Sequence, residues 1–305
     1  MICHRTRGAN APNIPNSRSG SRARIADSRA EIGSAGAATM FAASLVVLVA
    51  AAVYYFASGK WAPPMAITRV AKAIDSEYRL TLIVTGVLFI LAQLGLAFAI
   101  FRYRDRGKPA RYSRGSNALE VVWTFATAII FVGFAFLGYT AWGARRLTPA
   151  THGAIRVEVT TAQFVYYFRY PGPDGKFGAV KPKLISPANG NPLGIDPNDA
   201  TGRDDIVVPI LVVPVNRQVE LLIRSQDVIH SFFVRELRLQ QDSVPGMMVP
   251  LHFKPEKTGR YAIVCTQLCG LGHHSMHSYL QVVSESDYEK FLSQQERLLQ
   301  QTGGQ

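Results

Sequence analysis

The stretch CTQLCGLGHHSMHSYL, residues 265–280, gathers Cys265, Cys269, His273, His274, Met276 and His277 in a chain that has only three cysteines, seven histidines and six methionines. Thiolate, imidazole and thioether side chains this close together suggest a metal, and the mixture narrows which one. Structural zinc takes four Cys or His ligands and does not seek a thioether, whereas Met favours copper. A blue-copper site would use one Cys, two His and a weak Met. Here two thiols, Cys265 and Cys269, are followed by His273 and then Met276, a Cys-x3-Cys-x3-His-x2-Met pattern. Two thiolates can bridge two copper ions that share a single redox electron, each copper then needing a terminal imidazole and a weak axial ligand. The stretch supplies one imidazole, one Met and backbone carbonyls, so a further His must come from elsewhere. The bland alternative is a pair of buried thiols on a strand-to-loop segment beside surface histidines.

The missing histidine should sit at a strand end. His4 lies in an Arg-, Ser- and Asn-rich tail with the idle thiol Cys3, and His152 has nothing chemical beside it. His252 alternates with apolar neighbours in MVPLHFK and reads as a strand-surface residue. His230, in SQDVIHSFFV, follows an apolar strand and an Asp-containing turn, where another loop could meet the cysteine loop.

Several elements must position these residues. YRLTLIVTGVLFILAQLGLAFAIF, Tyr78 to Phe101, and LEVVWTFATAIIFVGFAFLGYTAWG, Leu119 to Gly143, are each long enough to span a hydrocarbon core that needs about 20 residues. Between them lies a short loop carrying Arg102, Arg104, Arg106, Lys108, Arg111 and Arg114 against Asp105, which the positive-inside rule keeps cytoplasmic. The two spans form a transmembrane helical hairpin over 75–147, and everything after it emerges on the opposite side. An earlier run, Met40 to Ala57, reads as a third span following a disordered basic tail over 1–39; a removed signal peptide is the alternative. Met1 and Met40 are both candidate starts.

The net charge of +12 invites a nucleic-acid reading until it is mapped. The first 39 residues contribute about +4, residues 78–118 about +6, and 151–284 only about +2, so the charge flanks apolar runs and forms no patch on a folded domain. Nucleic acid is excluded as the expected partner; membrane lipid takes its place.

From Ala154 the pattern changes to short segments rich in β-branched and aromatic residues, separated by Pro, Gly and Asp: IRVEVTTAQFVYYFRY, DIVVPILVVPVNRQVELLIRS, SFFVRELRL, MVPLHFKPEKTGRYAIVC and SYLQVVS. Such spacing predicts an all-β sandwich or barrel over 151–284. A long Pro/Gly/Asp-rich insertion, Tyr170 to Asp205, interrupts it. The tail 285–305 has the Phe/Leu spacing of a short amphipathic helix behind a Ser/Asp cap.

SQDVIHSFFVRELRLQQDSVPGM followed by CTQLCGLGHHSM resembles the dinuclear copper (CuA) domain of the cytochrome c oxidase subunit II family, over roughly residues 75 to 284 and including NALEVVWT at the start of the second span. The resemblance implies a membrane-anchored all-β chain with a cupredoxin-like β-sandwich. It implies that Cys265 and Cys269 bridge two copper ions, with His230 and His273 as terminal imidazoles and Met276 and the backbone carbonyl of Gln267 as weak axial ligands. The family's Glu between the cysteines, which helps hold a magnesium ion at the boundary with subunit I, is here Gln267, so that site loses the charge a hard cation prefers. The family's Trp-rich patch, where electrons enter from cytochrome c, is here AQFVYYFRY, with Phe164 at the matching position and Tyr166 and Tyr167 after it; plain strand packing is the other reading of this stripe. Glu120 matches a Glu at the mouth of a proton pathway into subunit I, or is an ordinary interfacial charge.

The function implied is that of subunit II of a haem–copper terminal oxidase. It would accept electrons from a separate c-type cytochrome and pass them to haem in subunit I, where oxygen is reduced with proton translocation. The chain would be part of a cytochrome-c oxidase complex in a bacterial inner membrane, with its copper domain on the periplasmic side. A copper-containing nitric oxide reductase subunit and a membrane-tethered copper-binding or delivery protein are the alternatives. A quinol oxidase subunit would lack the copper ligands.

Overall fold

The computed structural model describes residues 20–106, 109, 112, 114–146 and 150–301. Parts of the expected basic tail (1–19) and of the basic loop (Lys108, Arg111) lie outside the described residues, as do Cys3 and His4.

Three long helices come first. α1 (Gly20–Ala57), α2 (Arg69–Arg102) and α3 (Asn117–Arg146) each contain a stretch long and apolar enough to cross a membrane: Ala35–Ala57, Arg69–Arg102 and Asn117–Thr140. Large side chains of α3, among them Phe125, Ile129, Phe131, Val132 and Phe136, are exposed, as suits a helix whose surroundings are hydrocarbon. α1 begins at Gly20, so residues 20–39, read from the sequence as a disordered tail, are helical. Ala is the commonest residue of this stretch and the strongest helix former, and with Arg it offsets the Ser and Gly that read as tail in the sequence. Thr68 caps α2 by accepting the Ala71 N–H at 3.0 Å.

The contacts divide the chain into two units, residues up to Trp61 with Ile83–Asn117, and Ala62–Leu82 with Ala118–Gln305. The second holds the β domain. Among the described residues ten strands form two five-stranded sheets. They are β1 (Ile155–Ala162), β2 (Val165–Tyr170), β3 (Ile206–Val208), β4 (Leu211–Pro214), β5 (Val219–Ser225), β6 (His230–Val234), β7 (Leu239–Ser243), β8 (Val249–Phe253), β9 (Gly259–Val264) and β10 (His277–Val283). One sheet has the order β3-β2-β1-β5-β8 and the other β4-β10-β9-β6-β7. Most neighbours are antiparallel; β1 with β5 and β10 with β4 are parallel. This is the expected cupredoxin-like sandwich.

The sandwich follows from alternation. In β5 buried and half-buried positions strictly alternate, with Val219, Leu221, Ile223 and Ser225 inward. The three apolar ones meet Val157, Val159, Phe168, Phe232, Val234, Leu251, Ile263, Leu280 and Val282 in one core. The chain also contributes upstream residues to this unit. Ile67 is buried and bonded through its backbone to Glu236 and Glu256, Asp75 pairs with Arg238 at 2.8 Å, and Lys72 pairs with Glu256 at 2.6 Å. α4 (Glu285–Gln301) is capped by Ser284, whose hydroxyl bonds Asp287 at 2.7 Å, and it lays Tyr288, Phe291 and Leu299 on the sandwich.

The insertion between β2 and β3 holds short helical turns and no strand among the described residues. It is anchored by Arg169 of β2, which is almost wholly buried. The guanidinium reaches Glu158 at 3.0 Å, Asp205 through Nε at 3.0 Å and the Gly178 carbonyl at 2.6 Å, while Arg224 bonds the other oxygen of Glu158 at 3.0 Å.

Candidate metal centre

Two connections at one end of the sandwich bring the soft ligands together. β6 begins at His230, whose side chain is fully buried. The β9–β10 connection carries Cys265, Cys269 and Met276, also buried and part of the core, with His273 half-buried in a short helical turn. Cys265 Sγ and Cys269 Sγ are 3.9 Å apart, Cys269 Sγ is 3.7 Å from His273 Nδ1 and 3.9 Å from Met276 Sδ, and His230 Nδ1 is 3.2 Å from Met276 Sδ. The backbone carbonyl of Gln267 lies 3.1 Å from Cys265 Sγ. Ligand atoms of His230, Cys265 and Cys269 all fall within 4.8 Å of one another. With metal–sulfur bonds of about 2.3 Å and metal–nitrogen bonds of about 2.0 Å, two donors on one ion can be up to about 4.6 Å apart, so these separations fit a shared metal. Thiolate and thioether sulfur with imidazole nitrogen form a donor set that suits copper.

The same geometry separates the histidines that the spacing alone left open. His273 faces Cys269, whereas His274 and His277 are exposed, His277 bonding the Ser275 carbonyl at 2.7 Å. His152 is exposed and His252 half-buried on β8.

Three residues outside the ligand set cover or brace this end. Phe164, in the β1–β2 turn and part-exposed, lies on the cysteine loop; a Cβ on Gly272 would overlap its ring. Gln163 Nε2 donates to the Cys269 carbonyl at 2.6 Å, and its backbone N–H donates to Asp227 at 2.7 Å. Asp227 in turn sits 2.7 Å from His230 Nε2. Partial burial pushes the Asp227 carboxyl up, but hydrogen bonds from His230 and from the Gln163 and Val228 N–H groups outweigh it and hold the group below its ordinary value. Gln163 and Asp227 were not singled out from the sequence; the signal for Asp227 was its place in the turn that delivers His230.

Tyr166 is not at the surface. The pleat turns it inward, where it is buried against Phe168 and donates to the Ser231 carbonyl at 2.7 Å; burial and the nearby Cys265 push its hydroxyl well above the ordinary range. An expected surface role in receiving electrons is therefore corrected: of the aromatic stripe, Phe164 is part-exposed and Tyr167 half-buried, while Tyr166 belongs to the core. Glu120 lies exposed in the first turn of α3.

Comparison with known proteins decides the family. The family described as "Cytochrome C oxidase subunit II, periplasmic domain" matches residues 199–285. The "Alternative cytochrome c oxidase subunit 2" of Bradyrhizobium diazoefficiens is 32% identical over 254 residues, 82% of this chain and 90% of that protein. The chain belongs to the cytochrome c oxidase subunit II family. Cytochrome c oxidase subunit 2 of Cereibacter sphaeroides is 28% identical over 225 residues, 70% of this chain and 73% of that one. Among solved structures, the periplasmic domain of subunit II of cytochrome oxidase from Bradyrhizobium japonicum matches with a TM-score of 0.37 and 23% identity, covering 50% of this chain and 98% of that one. As a subunit II, the chain is part of a haem–copper oxidase complex and is anchored to a membrane by apolar helices. The family carries a copper centre, and the cluster of His230, Cys265 and Cys269 fits one.

Proposed function

We propose that this subunit II holds a dinuclear copper centre and relays electrons from a c-type cytochrome to haem in subunit I. The observation that carries the proposal is the convergence of two thiols, two imidazoles, a thioether and a backbone carbonyl at one end of the sandwich. Cys265 and Cys269 as thiolates, His230 and His273 as imidazoles, and Met276 and the Gln267 carbonyl as weaker donors would together hold the two ions. Two coppers sharing one electron supply a one-electron relay. The buried, hydrogen-bonded ligands keep their places whichever charge the centre carries, and the sandwich core excludes water from Cys265, Cys269 and Met276.

Phe164 caps the cysteine loop and would be the surface through which electrons arrive, while Glu120 at the head of α3 would face the mouth of a proton pathway in subunit I. The Arg-rich connection between α2 and α3 favours a cytoplasmic loop, hence a bacterial inner-membrane location with the copper domain on the periplasmic side, in contact with lipid along the spans. Gln267 is exposed and carries no charge, so a magnesium ion at the boundary with subunit I has lost a carboxylate here.

The test uses the full chain in detergent, loaded with copper, since residues 62–82 pack on the β domain. Two coppers per chain with one unpaired electron spread over both in the electron paramagnetic resonance spectrum, lost in Cys265→Ser and His230→Ala, is the expected result. One copper per chain, or a spectrum that stays silent under oxidation, would overturn the proposal and favour a copper-delivery role.

A further inference from the structure

The ligands come from two separate places, His230 from the head of β6 and the others from the β9–β10 connection. A chain of hydrogen bonds outside the ligand set joins them. His230 Nε2 lies 2.7 Å from Asp227 Oδ1, Asp227 Oδ2 accepts the Gln163 N–H at 2.7 Å, and Gln163 Nε2 donates to the Cys269 carbonyl at 2.6 Å.

The first link assigns the imidazole's two nitrogens. An ionised carboxylate only accepts, so Nε2 carries the proton and Nδ1 keeps its lone pair, turned toward Met276 Sδ at 3.2 Å. Asp227 is itself held, because its Oδ1 also accepts the Val228 N–H at 2.7 Å. At the other end, Gly270 makes room for the Gln163 amide. Its φ of +135° is one that side chains rarely adopt, and a Cβ there would fall 2.8 Å from Gln163 Nε2.

We propose that Asp227 and Gln163 are positioning residues of the copper centre. Asp227 selects Nδ1 of His230 as the ligating atom, and Gln163 ties the backbone of Cys269 to that same carboxylate, so that the two ligand-bearing connections keep a fixed separation. The inference rests on the copper reading above. Neither residue touches the metal; each acts through a ligand. Outer partners of metal-bound histidine fix its tautomer and raise its basicity, and their loss typically weakens metal binding about 10–100-fold.

The experiment compares the full-length wild-type chain in detergent with Asp227→Ala, Asp227→Asn and Gln163→Met, each loaded with copper. Three properties are read: the rate of copper loss to a chelator, the copper hyperfine pattern, and the reduction potential. Asp227→Ala and Gln163→Met are expected to lose copper roughly 10–100-fold faster with an altered hyperfine pattern. Asp227→Asn keeps an oxygen that can accept from Nε2–H but sets an amide N–H against the Gln163 N–H, so it should keep the wild-type hyperfine pattern while losing copper faster than wild type and more slowly than Asp227→Ala. It lacks the negative charge that stabilises the oxidised centre, so its potential should be higher than that of the wild type. Bracing of the turn alone would lower the unfolding temperature of the copper-free variants and leave the potential of Asp227→Asn unmoved. Copper loss within twofold of wild type in all variants, with unchanged potentials, would overturn the inference while leaving the copper reading intact. A wild-type chain without the shared-electron spectrum would overturn both.

Discussion

His230 Nδ1 and Met276 Sδ stand 3.2 Å apart although 46 positions separate them in the chain. The contact joins the head of β6 to the end of the β9–β10 loop, and it sets a ring nitrogen against a thioether that also lies 3.9 Å from Cys269 Sγ. Met276 is buried, so its replacement tests chemistry apart from packing. Met276→Leu, close in volume, should cost less than about 1.5 kcal/mol of stability and retain copper, with a shifted reduction potential. Chemical unfolding of the copper-free chain and a redox titration of the loaded one measure the two effects separately.

Phe164 and Gly272 give a second prediction. The backbone of Gly272 is unstrained (φ −89°), so Gly272→Ala acts only through its added methyl, which would collide with the Phe164 ring. In the assembled oxidase this variant should keep its copper and accept electrons from a c-type cytochrome at least about tenfold more slowly, because a small displacement at a transfer contact has large kinetic consequences. Stopped-flow reduction of the copper band is the measurement, and unchanged rates would remove Phe164 from the path.

Copper uptake should release protons. Burial first, and the neighbouring Cys265 second, push the Cys269 thiol up to about 11 in the metal-free chain. A raised thiol stays protonated through the neutral range, and the proton must leave for a thiolate to bind. Apparent copper affinity should therefore climb as pH rises, about tenfold per pH unit for each proton displaced. Calorimetry in buffers of different ionisation enthalpy counts those protons.

Gln267→Glu separates the copper centre from its neighbourhood. The carbonyl of residue 267 faces Cys265 while its side chain is exposed, so the copper spectrum should be unchanged. In the assembled oxidase the added carboxylate should bind a divalent cation such as manganese, seen as a new resonance signal, that the unaltered Gln267 subunit holds more weakly.

Arg169→Met should be among the most damaging single changes in the β domain. It leaves Glu158 and Asp205 buried without their shared guanidinium, and breaking a buried pair in this way costs about 3–5 kcal/mol. Denaturant unfolding of the copper-free chain checks it, with the copper spectrum of the surviving folded fraction expected to stay normal.

Much of this was legible in the sequence for physical reasons that differ by element. The spans were visible because length and unbroken apolarity are enough to define them. The cysteine loop was visible because its ligands are local, within a single stretch from Cys265 to Met276. His230 needed a guess about strand ends, since its partner loop is distant in sequence. Tyr166 was misjudged because an aromatic stripe does not reveal its register: one residue's shift in the pleat exchanges surface for core. The helical start at Gly20 was hidden by a composition rich in Arg and Ser, which reads as tail unless the alanines are weighed. The clamp made by Asp227 and Gln163 was illegible, because polar residues in turns are common and only tertiary placement shows which of them face a ligand.

Arg169 also limits how this chain can be edited. The stretch from Tyr170 to Asp205 looks expendable, a Pro- and Gly-rich excursion far from any chemistry. Yet it carries Asp205 and the Gly178 carbonyl, two of the partners that let a guanidinium sit inside the sandwich. A trimmed version would strand a cation under the sheet, so any shortening of the excursion has to neutralise position 169 and its acidic neighbour Glu158 in the same step.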